Sequence, residues 1–221
     1  MLALIALLKG TFMKKILLSI LAACFAAAAL FAETAQVRTH YVQGRNKTVK
    51  TKTVELEKVA PDKFRLVIDT TIQTEVPNPF NISFHGDKKD ITLELNGDNA
   101  WEGININAAG SGAPAIDLSA IDTLILDIKG SVTINGANAQ PVISIPDVNK
   151  SLSVRGNLKL VAGTNAIGIG TMEGPMGSVS LSGNIFVDGK TSGVAIGTFN
   201  EPQPADTVNL HIEGGNVTLT S

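Results

Sequence analysis

The chain has 221 residues, 18 Lys+Arg against 20 Asp+Glu, and only 5% aromatic side chains. That balance argues against nucleic acid as a partner, and a single cysteine rules out an internal disulfide framework. The 21 glycines, with abundant Val, Ile, Thr and Asn, point to an all-β chain with many tight turns.

Met13-Lys14-Lys15 opens a basic region, and Ile16 to Phe31 is almost wholly apolar before Glu33 begins ordinary polar sequence. This is the pattern of a secretory signal, with cleavage expected after Ala32. Met1 to Phe12 then reads as an over-extended start. Leu21-Ala22-Ala23-Cys24 resembles a bacterial lipobox, which makes a lipid anchor at Cys24 the alternative. Against it, the apolar run continues past Cys24, and only 11 residues separate Cys24 from Met13 counting Met13 itself. Loss of residues 1–32 removes Lys9, Lys14 and Lys15 and leaves 15 basic against 20 acidic side chains. The expected destination is extracellular, cell-surface or periplasmic.

Residues 33–89 fit no repeat. Thr48 to Glu57 alternates Thr, Val and Leu with Lys and Glu, Phe64 to Thr74 reads as a further strand, and Pro61-Asp62 as the turn between them. The segment is expected to form an N-terminal β cap merging into an incomplete first coil near Phe80 to Phe84. Lys47, Lys50, Lys52 and Lys58 read as a solvated face.

From Asp90 to the end, 90–221, one motif recurs. Asp122-Thr-Leu-Ile-Leu-Asp-Ile-Lys-Gly130 returns 84 residues later as Asp206-Thr-Val-Asn-Leu-His-Ile-Glu-Gly214. Related segments start at Asp90, Lys150 and Gly177, giving a period of 27 to 32 residues. Each repeat divides into three short strands with period-2 alternation. First-strand inward positions are Leu93/Leu95, Leu126/Ile128, Leu152/Val154, Val179/Leu181 and Leu210/Ile212. Second-strand positions are Ile104/Ile106, Val132/Ile134, Leu158/Leu160, Ile185/Val187 and Val217/Leu219. Third-strand positions are Ile116/Leu118, Ile143/Ile145, Ile167/Ile169 and Val194/Ile196. Gly97, Gly130, Gly156, Gly183 and Gly214 are expected to stack at the first corner, and Asn157, Asn184 and Asn216 to form a ladder. The expected fold is an all-β, right-handed, three-sided parallel β-helix.

Ile91-Thr-Leu-Glu-Leu-Asn-Gly97, Gly112-Ala-Pro-Ala-Ile-Asp-Leu118 and Leu124-Ile-Leu-Asp-Ile-Lys-Gly130 resemble bacterial β-helix surface proteins described as containing a carbohydrate-binding domain. Ala166-Ile-Gly-Ile-Gly170 and Val194-Ala-Ile-Gly197 are similar to the glycine-rich repeat of such proteins. The resemblance covers roughly residues 90–221 and implies a surface protein, with sugar binding in some relatives. The chain departs from that pattern in its few coils and sparse glycine tracts.

No Gly-x-Ser-x-Gly, His-Glu-x-x-His or phosphate-loop motif occurs. Counting from the stacked glycines puts Glu94, Asp127, Ser153, Ser180 and His211 in one outward column, and Asn96, Lys129, Arg155, Ser182 and Glu213 in the next. Glu94 and Asp127 are then a like-charge pair, either a calcium site or a solvated pair neutralised by Lys129. With Arg155 and Lys129 nearby, the enzymatic alternative is a calcium-assisted polysaccharide lyase. No other cofactor is expected. Trp101, Phe186 and Phe199 are candidate platforms for a polysaccharide or cell-surface glycan. The third strand's outward residues, Ala115, Asp117, Val142, Ser144, Ala166, Gly168, Gly193 and Ala195, form a flat, weakly polar face. It is expected to be covered by the N-terminal segment or by self-association with a second copy. The function expected is a non-catalytic secreted or surface protein that binds carbohydrate or mediates adhesion. A purely structural cell-envelope role stands beside it.

Overall fold

The computed structural model describes residues 34–43, 46–68, 80–85, 89–96, 104–190, 193–199 and 209–221. The expected signal with Cys24, and also Gly97 and Trp101, lie outside the described residues. The chain divides into Met1–Glu33 and Thr34–Ser221; the second unit is the all-β body. Among the described residues, no helix is long and apolar enough to cross a membrane.

β1 (Thr34–Gln43) and β2 (Asn46–Glu55) form an antiparallel hairpin. β3 (Glu57–Ala60) and β4 (Lys63–Ile68) form a second antiparallel pair around Pro61-Asp62, with Asp62 at φ 58°. The expected turn is therefore present, but the expected Thr48–Glu57 strand is interrupted at Leu56, which is buried. β5 (Phe80–His85) pairs antiparallel with β1 and parallel with β8 (Ile116–Asp117). β4 pairs parallel with β6 (Asp90–Asn96). These two parallel pairings tie the N-terminal strands into the repeating body.

That body is a parallel β-solenoid of about four turns. β9 (Thr123–Asn135), β11 (Ser151–Val161), β13 (Ser178–Asp188) and β15 (Leu210–Thr220) stack in parallel, and β6 and β7 (Ile104–Asn107) both lie on β9. β8, β10 (Pro141–Ser144), β12 (Ile167–Thr171) and β14 (Val194–Thr198) make the other parallel stack. The expected first and second strands of each coil are joined in β9, β11, β13 and β15. A glycine marks the join, as Gly156 does at φ 108°. Such a residue can turn the chain where a Cβ would be strained, and between β11 and β13 the ladder runs on through the bend.

The long strands alternate as their sequences imply. In β11, Leu152, Val154, Leu158 and Leu160 are at most 3% exposed. Burial of each such side chain contributes roughly 1.5–3 kcal/mol before its entropy cost. The asparagine ladder is also present. Asn184 Nδ2 donates to Asn157 Oδ1 at 2.9 Å, and Asn216 Nδ2 donates to Asn184 Oδ1 at 3.3 Å. Asn184→Ala breaks both bonds on an exposed rung, and a loss of about 1 kcal/mol in urea denaturation is expected.

The register departs from the sequence count in three places. Val154 opposes Leu126, and Leu152 opposes Leu124, because β9 holds extra residues at its bend: Arg155 opposes Asp127 while Asn157 opposes Ser131. In β15, Gly215 rather than Gly214 opposes Gly183. In the short stack, Ile116, Ile143, Ile169 and Ile196 form one column. That is a two-residue shift from the expected alignment of Ile167 and Val194 with Ile143.

The flat third face is not an open surface. Ala115, Val142 and Ala166 are fully buried, Ser144 and Ala195 are 8% and 9% exposed, and Gly168 is buried as well. A Cβ added at Gly136 would lie 2.6 Å from Val142 Cγ2, and one at Gly168 would strike Val187 Cγ1 and the Ala195 carbonyl oxygen. Val187 belongs to the core. Val142 and Gly168 therefore sit inside the corner between the long and short strands, where the chain approaches itself too closely for large side chains. Asp117 and Gly193 are the partly exposed members of the set, and Asp117 accepts bonds from Ser119 N–H at 3.0 Å and Ser119 Oγ at 2.9 Å.

Candidate functional site

A trough of about 440 Å³ opens along β11, β13 and β15. Its polar lining is Ser151, Ser153, Ser178, Ser180, Asn209 and His211, with Leu152, Val179 and Leu210 between them. The parallel register creates this surface. Ser151 opposes Ser178, and Ser153 opposes Ser180, which opposes His211. Alternation turns the serines out because Leu152, Val154, Val179 and Leu181 turn in. Ser151 Oγ donates to Thr123 Oγ1 at 3.2 Å. The His211 side chain is 73% exposed, and its Nε2 lies 3.8 Å from Glu213 Oε1. The trough is not among the sites expected from sequence. Its signal is the repeated Ser-x-Ser of Ser151-Leu-Ser153 and Ser178-Val-Ser180, which only the correct register places side by side.

The charged residues form a different column from the expected one. Glu94 opposes Asp127, which opposes Arg155, which opposes Ser182. Ser153 lies beside Ile125 instead of Asp127. Lys129 Nζ donates to Glu94 Oε1 at 2.8 Å, with the lysine side chain 47% exposed and the glutamate 14%. This hydrogen bond holds the Lys129 pKa above its ordinary range. On the same sheet Arg65 reaches Glu57 Oε2 through Nε at 2.9 Å and Nη2 at 2.7 Å. Glu94 is thus engaged by Lys129, and Asp127 has Arg155 opposite it. Among the described residues, no group of three or more His, Cys, Asp and Glu side chains is placed to hold a metal ion.

Lys129→Ala is expected to leave the thermal midpoint almost unchanged at physiological salt, since an exposed pair contributes little. At low ionic strength the midpoint should fall, because Glu94 and Asp127 then repel with less screening. Melting curves of wild type and variant at two salt concentrations check this.

Of the aromatic candidates, the two among the described residues, Phe186 and Phe199, lie at different elements. Phe186 is half-buried on β13, with Lys159 Nζ 5.9 Å from its ring centroid. Phe199 is half-buried just after β14, its N–H bonded to the Thr171 carbonyl at 3.2 Å. Arg155 is exposed on the first half of β11. No family model, curated protein or solved structure matches the chain.

Proposed function

We propose that the protein is an exported, non-catalytic solenoid that binds carbohydrate through the serine-lined trough, as a surface or adhesive module. The observation supporting this is the row of hydroxyl, amide and imidazole groups along β11, β13 and β15. Closely spaced donors and acceptors on a rigid sheet suit a hydroxyl-rich polymer, and short serines cost little entropy when they are ordered on binding. The sequence resemblance to carbohydrate-binding bacterial surface proteins points the same way. In this reading the coil is three-sided and right-handed, the sense favoured for parallel crossovers. The β1–β2 hairpin and β3 serve as the cap that solenoids need at an end. Residues 1–32 are removed on export, so the recovered protein begins at Glu33, and N-terminal mass spectrometry reads this directly. A diacylated Cys24 would replace that processing with a lipid anchor.

The test is a glycan array on the mature protein with a parallel lyase assay on acidic polysaccharides. Ser153→Arg and Ser180→Arg fill the trough from its outer side, and are expected to abolish glycan binding while leaving the melting temperature unchanged. Retained binding would move the site elsewhere. Unsaturated product absorbing in the ultraviolet, lost on Asp127→Ala or Arg155→Ala, would replace the reading with a calcium-assisted lyase.

A further inference from the structure

β15 differs from the strands stacked beneath it. It is the last strand of its sheet, and the side chains on its inner face are uncovered. Leu210, Ile212 and Leu219 are 36%, 48% and 41% exposed, and Val217 is half-buried against the core. The residues they oppose, Val179, Leu181, Val187 and Ile185, are at most 1% exposed. An apolar edge strand of this kind is a template for another strand.

The backbone determines what that edge offers. Val179 N–H donates to the Asn209 carbonyl and Gly189 N–H to the Thr220 carbonyl, both at 2.8 Å. Along a strand, successive residues aim their N–H and C=O groups to opposite sides. His211 and Thr218 therefore aim theirs at β13, while Leu210, Ile212, Val217 and Leu219 aim theirs at the open edge. The alternation changes phase at Gly214, the extra residue between the Leu181–Ile212 and Gly183–Gly215 pairs. Gly214 and Gly215 both have positive φ, 127° and 86°.

We propose that β15 pairs antiparallel with β15 of a second copy, about a two-fold axis between Gly214 and Gly215, joining two solenoids end to end. In this register Leu210 meets the partner's Leu219, and Ile212 meets the partner's Val217. These are the residues whose backbone groups face the edge, so each pair exchanges two N–H···O=C bonds. Their apolar side chains lie on one face and close the core across the junction. On the other face His211 meets the partner's Thr218, and Glu213 meets the partner's Asn216. Gly214 meets the partner's Gly215, so the bends of the two chains coincide. No like charges oppose one another. A slip of one residue would set leucine against threonine and inner face against outer. Self-complementarity about one point is what an isologous contact requires.

The test uses the mature protein from Glu33, which lacks Cys24, with His211→Cys and Thr218→Cys added. Both positions are exposed, and in one chain they lie in opposite halves of an extended strand, out of reach of each other. Across the proposed axis they form a non-hydrogen-bonded pair with Cα atoms about 4.5 Å apart, within the roughly 4.4–6.8 Å range of a disulfide. Sedimentation of the unsubstituted mature protein is expected to give twice its chain mass. Mild oxidation should convert the double-cysteine variant to a covalent dimer and leave each single-cysteine variant uncoupled. Ile212→Lys should halve the sedimenting mass. A monomer at every concentration, a dimer indifferent to Ile212→Lys, equal coupling by the single variants, or a ladder of higher oligomers would each overturn the pairing.

Discussion

Leu158→Asp is expected to abolish the cooperative unfolding transition. Leu158 is 3% exposed and lies between Val132 and Ile185 in adjacent coils. An aspartate there has apolar neighbours above and below, so it either carries an unpaired charge or takes up a proton at a cost. The loss should exceed about 4 kcal/mol, a large share of the roughly 5–15 kcal/mol that a domain has in total. Circular dichroism during heating reads the outcome. A soluble variant melting at the wild-type temperature would mean that Leu158 faces outward and that the register of β11 is wrong.

Gly168→Lys should be nearly as damaging. The first methylene of any side chain here collides with Val187 Cγ1 and the Ala195 carbonyl oxygen. A carbonyl in a ladder cannot move without breaking its own pairing. Overpacking alone costs about 1–3 kcal/mol, and a buried ammonium adds to it. Urea denaturation should show a midpoint far below that of Ser180→Arg, which places a larger cation on the outer side of β13. Equal midpoints for the two variants would mean that Gly168 faces solvent after all.

Gly168 also shows where reading the sequence runs out. Alternation along a straight strand is legible from residue types, and Leu152, Val154, Leu158 and Leu160 were placed inside by it. At a corner the alternation is lost, because the chain turns and a position outward on one strand faces inward on the next. Alanine and glycine then look like an open flat face, although Val142 lies against Gly136, and a Cβ on Gly168 would meet Val187 and Ala195. The bends misled the count in the same way. Counting back from Gly130 and Gly156 assumes equal residues at each corner, whereas β9 carries extra ones. The Glu94–Asp127 pair is legible because each residue lies three positions before its glycine, Gly97 and Gly130, so the count is equal on both strands. The neighbour of Asp127 is not, and Arg155 stands where Ser153 was expected. The asparagine ladder lies after the bend, and there the spacing of Asn157, Asn184 and Asn216 was sufficient.

The layered stacking also determines how the molecule opens. Each long strand bonds only to the strands above and below it, so melting can proceed layer by layer from an end. Amide protons should therefore exchange with deuterated solvent on a gradient. Those of β9 and β11 need several layers removed and should be slowest, while those of an uncovered β15 should go first. Exchange rates along the sequence would show a sawtooth repeating once per coil, with slow strands and fast corners, under an envelope that falls towards Thr220. Binding at β15 would flatten that side of the envelope without altering the sawtooth beneath it.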